Sequence, residues 1–281
     1  MNRLRFRKES SSAPQGAVLK KGGFFMLTID LRGHLAVITG ASGMLGRVIA
    51  RTFADCGADL VLHYFHGKDE AEALAGELRR KTGRRVMTVQ ADITSAEDVQ
   101  RMKQEITGLI GVPDILVHNA VIQYDRKPVI EQDLAAFDSQ YQSCVMQTVH
   151  MTQAFVPDII AKGNGGRIVV INTECAAMAE ETWGAYTAAK RGLDGLVRVL
   201  AKELGPHQIT VNQVAPGWTI TEADRRNHTE SQPDYEKTVP LGRRGTDLEI
   251  AQMCAFLASP IASFTTGAYI PVSGGRVMPA I

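Results

Sequence analysis

Short runs of apolar and β-branched residues alternate with longer amphipathic stretches from residue 35 to the end of the chain. Such runs are typical of strands that are buried on both faces of a parallel sheet. Seven of them are present, at residues 35–39, 60–63, 86–89, 115–118, 168–171, 209–212 and 269–272. Between them, the spacing of apolar residues predicts helices over residues 43–56, 68–82, 95–110, 131–162, 183–205 and 246–258.

This alternation predicts an α/β fold: a single Rossmann-type, doubly wound domain with a seven-stranded parallel sheet flanked by helices on both faces. We expect the domain to span residues 27–281. Residues 1–26 begin with a basic, polar run, so their composition predicts a disordered N-terminal extension. Residues 216–245 are the least regular stretch and hold three prolines and three glycines, which predicts a mobile lid over the site.

The composition fits one globular domain. With 281 residues, 44% of them hydrophobic, and a formal net charge of +1, the chain can bury one large core. Positive charge gathers in the first 25 residues, so the body of the chain lacks a nucleic-acid-binding signature. No stretch approaches the roughly 18 apolar residues of a membrane span. We expect a cytoplasmic protein with no nucleic-acid and no membrane partner.

The residues that commonly ligate metals are dispersed along the chain. The seven histidines include no HExxH motif. The cysteines show no CxxC or CxxH spacing, so zinc and a disulfide framework are not expected. They lie at Cys56, Cys144, Cys175 and Cys254. No metal site is predicted.

A glycine-rich turn, TGASGMLG at residues 39–46, lies between the first predicted strand and the first predicted helix. Residues without a Cβ allow tight turning and close approach of a pyrophosphate, which the N-terminus of the next helix then faces. The placement predicts nucleotide binding. The predicted contacts are Gly40, Ser42, Gly43, Leu45 and Gly46.

The end of the second predicted strand bears on the choice between NAD and NADP. A site that prefers NAD usually has an acidic residue about 20 positions after the glycine turn, bonded to the adenosine ribose. No carboxylate occupies that strand end, and His63, His66 and Lys68 are available there for a 2′-phosphate. The sequence therefore favours NADP(H) over NAD(H).

Tyr186 and Lys190 are four residues apart in a predicted helix and so share one face. A lysine ammonium beside a phenol favours the phenolate, which lowers the phenol pKa from about 10 and suits acid/base chemistry on an alcohol or carbonyl. Thr173 follows a buried strand, where its hydroxyl would emerge at the ligand-binding edge. We predict these three residues as catalytic, although such a pair also occurs on many solvated helices.

Together the motifs resemble the short-chain dehydrogenase/reductase family. The similarity covers residues 31–278 and is greatest to the compact branch of the family, especially its 3-oxoacyl-(acyl carrier protein) reductase-like members. Seven landmarks occur in the family's order. They are Thr39-Gly40, Ala91-Asp92-Ile93, His118-Asn119-Ala120, Thr173, Tyr186 with Lys190, Pro216-Gly217 with Thr221, and Ser273-Gly274-Gly275.

The resemblance also implies where the cofactor lies. It places the adenine ring at Asp92 and Ile93, and the central part of the cofactor at Asn119 and Ala120. The nicotinamide end would meet a third group, and Tyr186 and Lys190 also belong to the cofactor-binding set. That third group is Pro216, Gly217 and Thr221.

The implied activity is that of an NAD(P)(H)-dependent oxidoreductase interconverting a ketone and a secondary alcohol. By this similarity Tyr186 gives its proton to the carbonyl oxygen, Lys190 lowers the pKa of Tyr186 and binds the nicotinamide ribose, and Thr173 orients the substrate oxygen. A 3-oxoacyl thioester is the first candidate substrate. The alternatives are a sugar or polyol dehydrogenase, or a nucleotide-binding regulatory protein with little turnover. The resemblance also implies a homodimer or homotetramer.

Several positions depart from the family pattern. Cys144 aligns with an asparagine whose neighbourhood holds a proton-relaying water, so the relay is either rerouted through Gln140 or Gln147 or weakened. Otherwise Cys144 is a small buried helix residue. The other departures are Met44 at the usual middle glycine, His118 and Val121 around the Asn-Ala pair, and threonine for serine at 173.

The substrate itself is hardly readable from the sequence. Five residues follow strand ends or flank Tyr186, and their mixed polar and aromatic character suits a carbonyl or hydroxylated compound of modest size. Either tryptophan among them could equally belong to the core or to an interface. The pocket candidates are Gln123, Glu174, Cys175, Trp183 and Trp218.

Overall fold

The computed structural model describes residues 18–21 and 24–278. Its strands are β1 (Val18–Lys21), β2 (Phe24–Leu27), β3 (Leu35–Ile38), β4 (Asp59–Tyr64), β5 (Val86–Gln90), β6 (Ile115–His118), β7 (Gly166–Ile171), β8 (Ile209–Pro216) and β9 (Tyr269–Val272).

The predicted extension of residues 1–26 lies largely outside the described residues. Within it the structure places β1 and most of β2, which pair antiparallel. The disorder of the extension and the domain boundary at residue 27 stay predictions.

The central sheet has seven strands in the order β5-β4-β3-β6-β7-β8-β9, and every neighbouring pair is parallel. The predicted doubly wound, seven-stranded sheet is therefore confirmed. From β3 the chain runs outward to β4 and β5, then returns to the other side of β3 at β6. The carboxyl ends of the strands diverge at this switch point, which is where open α/β sheets bind ligands.

Helices cover both faces of the sheet. They are α1 (Met44–Asp55), α2 (Lys68–Thr82), α3 (Ala96–Leu109), α4 (Leu134–Tyr141), α5 (Gln147–Lys162), α6 (Cys175–Met178), α7 (Gly184–Leu204), α8 (Glu222–Asn227), α9 (Pro233–Glu236) and α10 (Asp247–Ala258). In the part of the chain that the structure covers, no helix is long and apolar enough to cross a membrane. The same part holds no cluster of three or more potential metal ligands.

The long helix predicted over residues 131–162 is not a regular helix. It begins at Leu134, after the short 3₁₀ turn Val129–Glu131, and a π turn at Gln142–Met146 separates α4 from α5. The π turn inserts one extra residue into the helix, and no glycine or proline within Gln142–Met146 marks it in the sequence. Such insertions frequently occur at functional sites, and this one holds Cys144.

Apolar stripes on the helices build two core clusters, one on each face of the sheet. In α1 the buried residues Ile49, Ala50 and Phe53 recur at helical spacing and pack on one face. In α5, Phe155 and Ile159 do the same on the other face. Burying one large side chain of this kind contributes about 1.5–3 kcal/mol, so these stripes hold the helices to the sheet.

The 216–245 segment folds around a buried arginine. Arg244 is fully buried, and its guanidinium donates to the carbonyl oxygens of Trp218 (3.1 Å) and Thr219 (3.0 Å). It also donates to the Asp224 carboxylate at 3.1 Å. Because one side chain near the end of the segment satisfies carbonyls near its start, this stretch has a defined path over the sheet edge although it contains only two short helices.

Two buried histidines lie near the ends of β4 and β6, the strands on either side of β3. His63 on β4 and His118 on β6 are both 1% exposed, and burial lowers the pKa of each to about 4. Nδ1 of His118 lies 3.2 Å from the Thr148 hydroxyl, and its Nε2 has no partner among the described residues. Both rings are therefore neutral in the folded protein at pH 7.

We predict that acid destabilises the fold through these histidines. The folded pKa is lower than that of an unfolded histidine, so the unfolded chain binds more protons as the pH falls below about 6.5. Each ring should remove about 2 kcal/mol of unfolding free energy between pH 7 and pH 5. Urea denaturation of His118→Asn should show a loss of unfolding free energy between pH 7 and pH 5 that is smaller by this amount than in the wild type. The exposed His207→Asn should behave as wild type, and equal losses in all three proteins would contradict the assignment.

Candidate active site

A cavity of about 770 Å³ opens at the carboxyl edge of the sheet, above the switch point. Its volume lies within the range of roughly 300–1,000 Å³ that is usual for ligand pockets. Apart from Lys68, the residues that the sequence predicted for catalysis and for cofactor binding line it. They include Gly40, Ser42, Gly43, Leu45, Gly46, Asp92, Ile93, Asn119, Ala120, Thr173, Tyr186, Lys190, Pro216, Gly217 and Thr221.

The glycine turn at one end of the cavity fits a diphosphate. Helix α1 begins at Met44, its N-cap residue is Gly43, and no side chain caps it. The first N–H groups of the helix are therefore left for an anion, which the positive end of the helix dipole also favours. A Cβ on Gly46 would lie 2.2 Å from the Gly40 carbonyl oxygen, so only glycine allows this tight turn.

Side chains at three strand ends hold this turn in place. The Thr39 hydroxyl accepts hydrogen bonds from the N–H groups of Asn119 (2.9 Å) and Ala120 (3.1 Å). The Asn119 amide donates in return to the Thr39 carbonyl oxygen at 3.0 Å. From the other side, Nδ1 of His63 accepts from the Gly40 N–H at 3.1 Å. The ends of β3, β4 and β6 are thus joined beneath the turn.

The predicted role of His63 at a 2′-phosphate is wrong. While Nδ1 accepts from Gly40, Nε2 lies 3.0 Å from the Ala91 carbonyl oxygen, to which it donates. Burial keeps the ring neutral, with its pKa lowered to about 4. Both nitrogens are occupied, so His63 is a structural link. Of the other two candidates, His66 lines the cavity, whereas Lys68 does not.

Around the end of β4 the cavity wall carries no carboxylate. Phe65, which the sequence reading missed, lines it and is 47% exposed. The Ser42 hydroxyl donates to the His66 carbonyl oxygen at 3.0 Å, which ties the glycine turn to the loop after β4. Asp92, at the end of β5, accepts from the N–H and the hydroxyl of Thr94 at 2.9 and 2.6 Å.

Tyr186 and Lys190 lie on the first turns of α7 and face the cavity. The Lys190 Nζ is 5.5 Å from the centre of the Tyr186 ring and donates to the Ile171 carbonyl oxygen at 2.6 Å. Burial raises the pKa of Tyr186 and lowers that of Lys190. The direction for Tyr186 is opposite to the lowering expected from Lys190, because burial of the phenol outweighs any attraction to the ammonium. Tyr186 is therefore a protonated phenol at neutral pH.

Thr173 emerges at the end of β7, as predicted, and lies near enough to Tyr186 to lower the pKa of that phenol, although burial raises it more. The Thr173 carbonyl oxygen accepts from the Tyr269 hydroxyl at 2.6 Å. Asn172, which the sequence reading missed, donates through its side-chain amide to the Lys190 carbonyl oxygen at 3.2 Å and to the Gln213 side chain. Its position directly before Thr173 at a strand end was the available signal.

The N-terminus of α7 is held by a loop distant in sequence. The Tyr124 hydroxyl accepts from the Tyr186 backbone N–H at 3.3 Å, at a helix end that has no side-chain cap of its own. The Trp183 ring lies 5.5 Å from the Tyr186 ring, with the Arg126 guanidinium 4.2 Å above it. The loop after β6 therefore contributes to the orientation of Tyr186.

Cys144 is fully buried in the π turn and does not line the cavity. The expected rerouting of a proton relay through Gln140 or Gln147 is not supported. Their side-chain amides donate to the carbonyl oxygens of Ile122 (2.8 Å) and Ala120 (2.7 Å), and neither residue lines the cavity. The π turn instead presents Ser143 to the cavity, with a buried hydroxyl that has no partner among the described residues.

Of the five residues that the sequence suggested for the substrate pocket, one lines the cavity and four do not. Gln123 lines the cavity, whereas the other four lie outside its lining. Trp183 packs on Tyr186, and Trp218 is 49% exposed and contacts the Tyr235 ring edge-to-face. Glu174 is buried behind the cavity wall at Gly217. These side chains support the site rather than line it.

Comparison with known proteins places the chain in a family. A family profile described as Enoyl-(Acyl carrier protein) reductase matches residues 40–276. The 3-oxoacyl-[acyl-carrier-protein] reductase of Aquifex aeolicus (strain VF5) is 33% identical over 249 residues, covering 89% of this chain and 99% of the relative. The corresponding reductase of Pseudomonas aeruginosa is 34% identical, covering 89% of this chain and 100% of its own.

Solved structures agree with this placement. A 7 alpha-hydroxysteroid dehydrogenase complexed with NADH and 7-oxo glycochenodeoxycholic acid is 32% identical, with a TM-score of 0.79 over 89% of this chain and 97% of the other. An L-sorbose reductase from Gluconobacter frateurii, complexed with NADPH and L-sorbose, is 28% identical, with a TM-score of 0.81 over 90% and 99%. The chain therefore belongs to the short-chain dehydrogenase/reductase family of nicotinamide-dependent oxidoreductases.

Proposed function

We propose that this protein is an NADP-preferring reductase of ketones whose substrates are 3-oxoacyl thioesters. The observation that carries the proposal is the convergence in one cavity of a glycine turn with an uncapped helix N-terminus and the hydroxyl groups of Thr173 and Tyr186. The first feature suits a dinucleotide and the second suits a carbonyl oxygen.

In the proposed reaction Tyr186 is the proton donor. A nicotinamide bound in this cavity would supply the hydride for the reduction. The phenol of Tyr186 gives its proton to the carbonyl oxygen, and the raised pKa keeps that proton in place at neutral pH. Thr173 donates a hydrogen bond to the same oxygen and so fixes its direction. An acid placed in this way typically supplies about 10²–10⁴ in rate.

Lys190 and the strand ends complete the arrangement. We assign to Lys190 the nicotinamide ribose, which would add a partner to an ammonium that donates to Ile171. Asn119 and Ala120 would line the central part of the cofactor, and Pro216, Gly217 and Thr221 its nicotinamide end. Asp92 and Ile93 would hold the adenine. Each of these residues lines the cavity.

Two features support NADP over NAD. The end of β4 carries no carboxylate to bond a ribose diol and repel a phosphate. In place of an acid, Phe65 and His66 line the cavity there. Among similar structures, the L-sorbose reductase and a gluconate 5-dehydrogenase from Burkholderia cenocepacia were solved with NADPH and NADP.

The substrate class rests on the sequence relatives and on the cavity entrance. The relatives named above are 3-oxoacyl reductases. Ile122 lines the cavity and is 45% exposed, which suits an acyl chain. A sugar or polyol dehydrogenase is the second candidate, because the similar L-sorbose reductase was solved with a sugar.

A homodimer or homotetramer is proposed as well, supported by exposed apolar side chains such as Val199 on α7 and Phe264.

Tyr186→Phe tests the function. NADPH oxidation at 340 nm should be followed with 3-oxoacyl thioesters, diketones and oxidised sugars, with NADH in parallel. We expect the wild type to reduce a 3-oxoacyl thioester and the variant to lose about 10²–10⁴ of that rate, because only the donated proton is removed. Tyr141→Phe, on an exposed tyrosine, is the control. An undiminished rate in Tyr186→Phe would refute the catalytic assignment, and cofactor binding without any turnover would favour a regulatory protein.

Phe65→Asp tests the cofactor preference. The wild type should show at least about a tenfold higher kcat/KM for NADPH than for NADH, and the new carboxylate should reverse that ratio because it repels a 2′-phosphate and bonds a ribose diol. Phe65→Asn is the control: asparagine has the shape of aspartate but no charge, so this variant should keep the preference for NADPH. A wild-type preference for NADH would contradict the proposal.

A further inference from the structure

Three segments that are distant in sequence meet directly behind Thr173, at the carboxylate of Glu174. This side chain is buried, and its Oε1 accepts from the Tyr235 hydroxyl at 2.9 Å and from Arg276 Nη1 at 2.8 Å. Tyr235 belongs to the 216–245 segment, and Arg276 to the stretch after β9. One oxygen atom therefore joins the catalytic strand end, the loop over the site and the C-terminal segment.

Arg276 uses its whole guanidinium in this cluster. Besides Glu174, it donates through Nη2 to Glu180 at 2.6 Å and through Nε to the Thr238 hydroxyl at 2.8 Å. The guanidinium also lies 4.7 Å from the centre of the Tyr235 ring. Charge-assisted hydrogen bonds in a planar, forked geometry hold their partners more tightly than neutral ones. The 216–245 segment is thus fastened through both Tyr235 and Thr238.

The same tyrosine reaches the cavity wall. Its hydroxyl accepts from the Trp218 N–H at 2.8 Å while donating to Glu174. A Cβ on Gly217 would lie 2.5 Å from this hydroxyl and 3.1 Å from Glu174 Oε2, so the absence of a side chain at 217 makes room for the cluster. Gly217 itself lines the cavity, and any displacement of Tyr235 would move that wall.

Glu174 is also coupled to the Thr173 turn. Its N–H donates to the Pro216 carbonyl oxygen at 2.9 Å, and the next N–H, that of Cys175, donates to the Thr173 hydroxyl at 3.2 Å. Glu174 Oε2 is buried and has no hydrogen-bond partner in the described part of the chain. The carboxylate is held from one side only, by Arg276 and Tyr235, so loss of its charge would release the turn.

We propose that Glu174 and Arg276 are positioning residues that lock the 216–245 segment onto the turn bearing Thr173, and thereby hold the Thr173 hydroxyl and the Gly217 wall in place for the ketone. This inference rests on the proposed carbonyl reduction and deepens it. Neither residue contacts the reacting atoms. They act through Thr173 and Gly217, and a misplacement of about 1 Å at such a site can cost about 10² in rate.

Two measurements on full-length Glu174→Gln, Arg276→Met and the double variant test the lock. Each single variant should lower kcat/KM for the ketone about 10–100-fold while the calorimetric Kd for NADPH changes less than about threefold. The losses of the two single variants should be clearly less than additive in the double variant, because both remove the Glu174–Arg276 contact. Glu181→Gln, at an exposed position close to Glu180, should match wild type. Single-variant rates within about twofold of wild type, or additive losses, would overturn the proposal.

The second measurement does not depend on turnover. Hydrogen–deuterium exchange of residues 216–245 should be faster in Glu174→Gln and Arg276→Met than in wild type and Glu181→Gln, even if no ketone is reduced. If Glu174→Gln does not fold, Tyr235→Phe, which lacks only the hydroxyl, should show the same two changes. Unchanged exchange in folded variants would overturn the lock, whereas faster exchange without any wild-type turnover would refute the proposed function alone.

A dependence on pH separates the lock from a merely structural role. Burial raises the pKa of Glu174, opposed by Tyr235 and Arg276, while Glu180 raises it further. The groups that face it are these three and the Cys175 thiol. As the pH falls through the raised pKa, protonation should release Arg276, so wild-type kcat/KM should decline on the acid side. Glu174→Gln should lack that decline, and an identical acid limb in both proteins would contradict the proposal.

Discussion

The structure depends on how the polar groups at the ends of its parallel strands are satisfied. Where a strand stops, its backbone N–H and C=O groups lose their partners in the sheet, and leaving them buried and unpaired would cost about 1–3 kcal/mol each. The Thr39 hydroxyl supplies the acceptor for two N–H groups after β6, and the side chains of Asn119 and His63 supply partners for the backbone after β3. Because these side chains bond to backbone groups, the glycine turn is fixed before any ligand arrives.

The same device recurs along the edge of the sheet. Asn172 joins the end of β7 to Lys190 on α7, and Tyr269 on β9 donates to the Thr173 carbonyl oxygen. These contacts at the strand ends hold the hydroxyl of Thr173 and the phenol of Tyr186 at the same edge of the sheet. Burial there raises the pKa of Tyr186 and keeps its phenol protonated, which matches the proposed role of proton donor in reduction. The packing of side chains at the strand ends therefore both fixes the positions of these groups and keeps the phenol protonated.

The sequence predicted the fold and most of the residues that line the cavity, because both follow from a pattern that recurs along the chain. Parallel strands appear as apolar runs, and their carboxyl ends share one edge, so any polar residue after a run becomes a candidate. The prediction failed where contacts join distant segments or where burial decides chemistry. Nothing local distinguishes His63 as a neutral link, and Arg276 meets Glu174 across 102 residues. The π turn at Gln142–Met146 was missed because it contains no glycine or proline that would mark a break in the helix.

We propose that the strand-end hydrogen bonds organise a dinucleotide site. The most direct test is calorimetric titration of NADPH into the wild type, Thr39→Val and the control Thr52→Val, whose hydroxyl bonds within α1. We expect tight binding to the wild type and control, and a Kd at least about tenfold higher in folded Thr39→Val, because two N–H groups lose their acceptor. Equal binding by Thr39→Val, or none by the wild type, would contradict it.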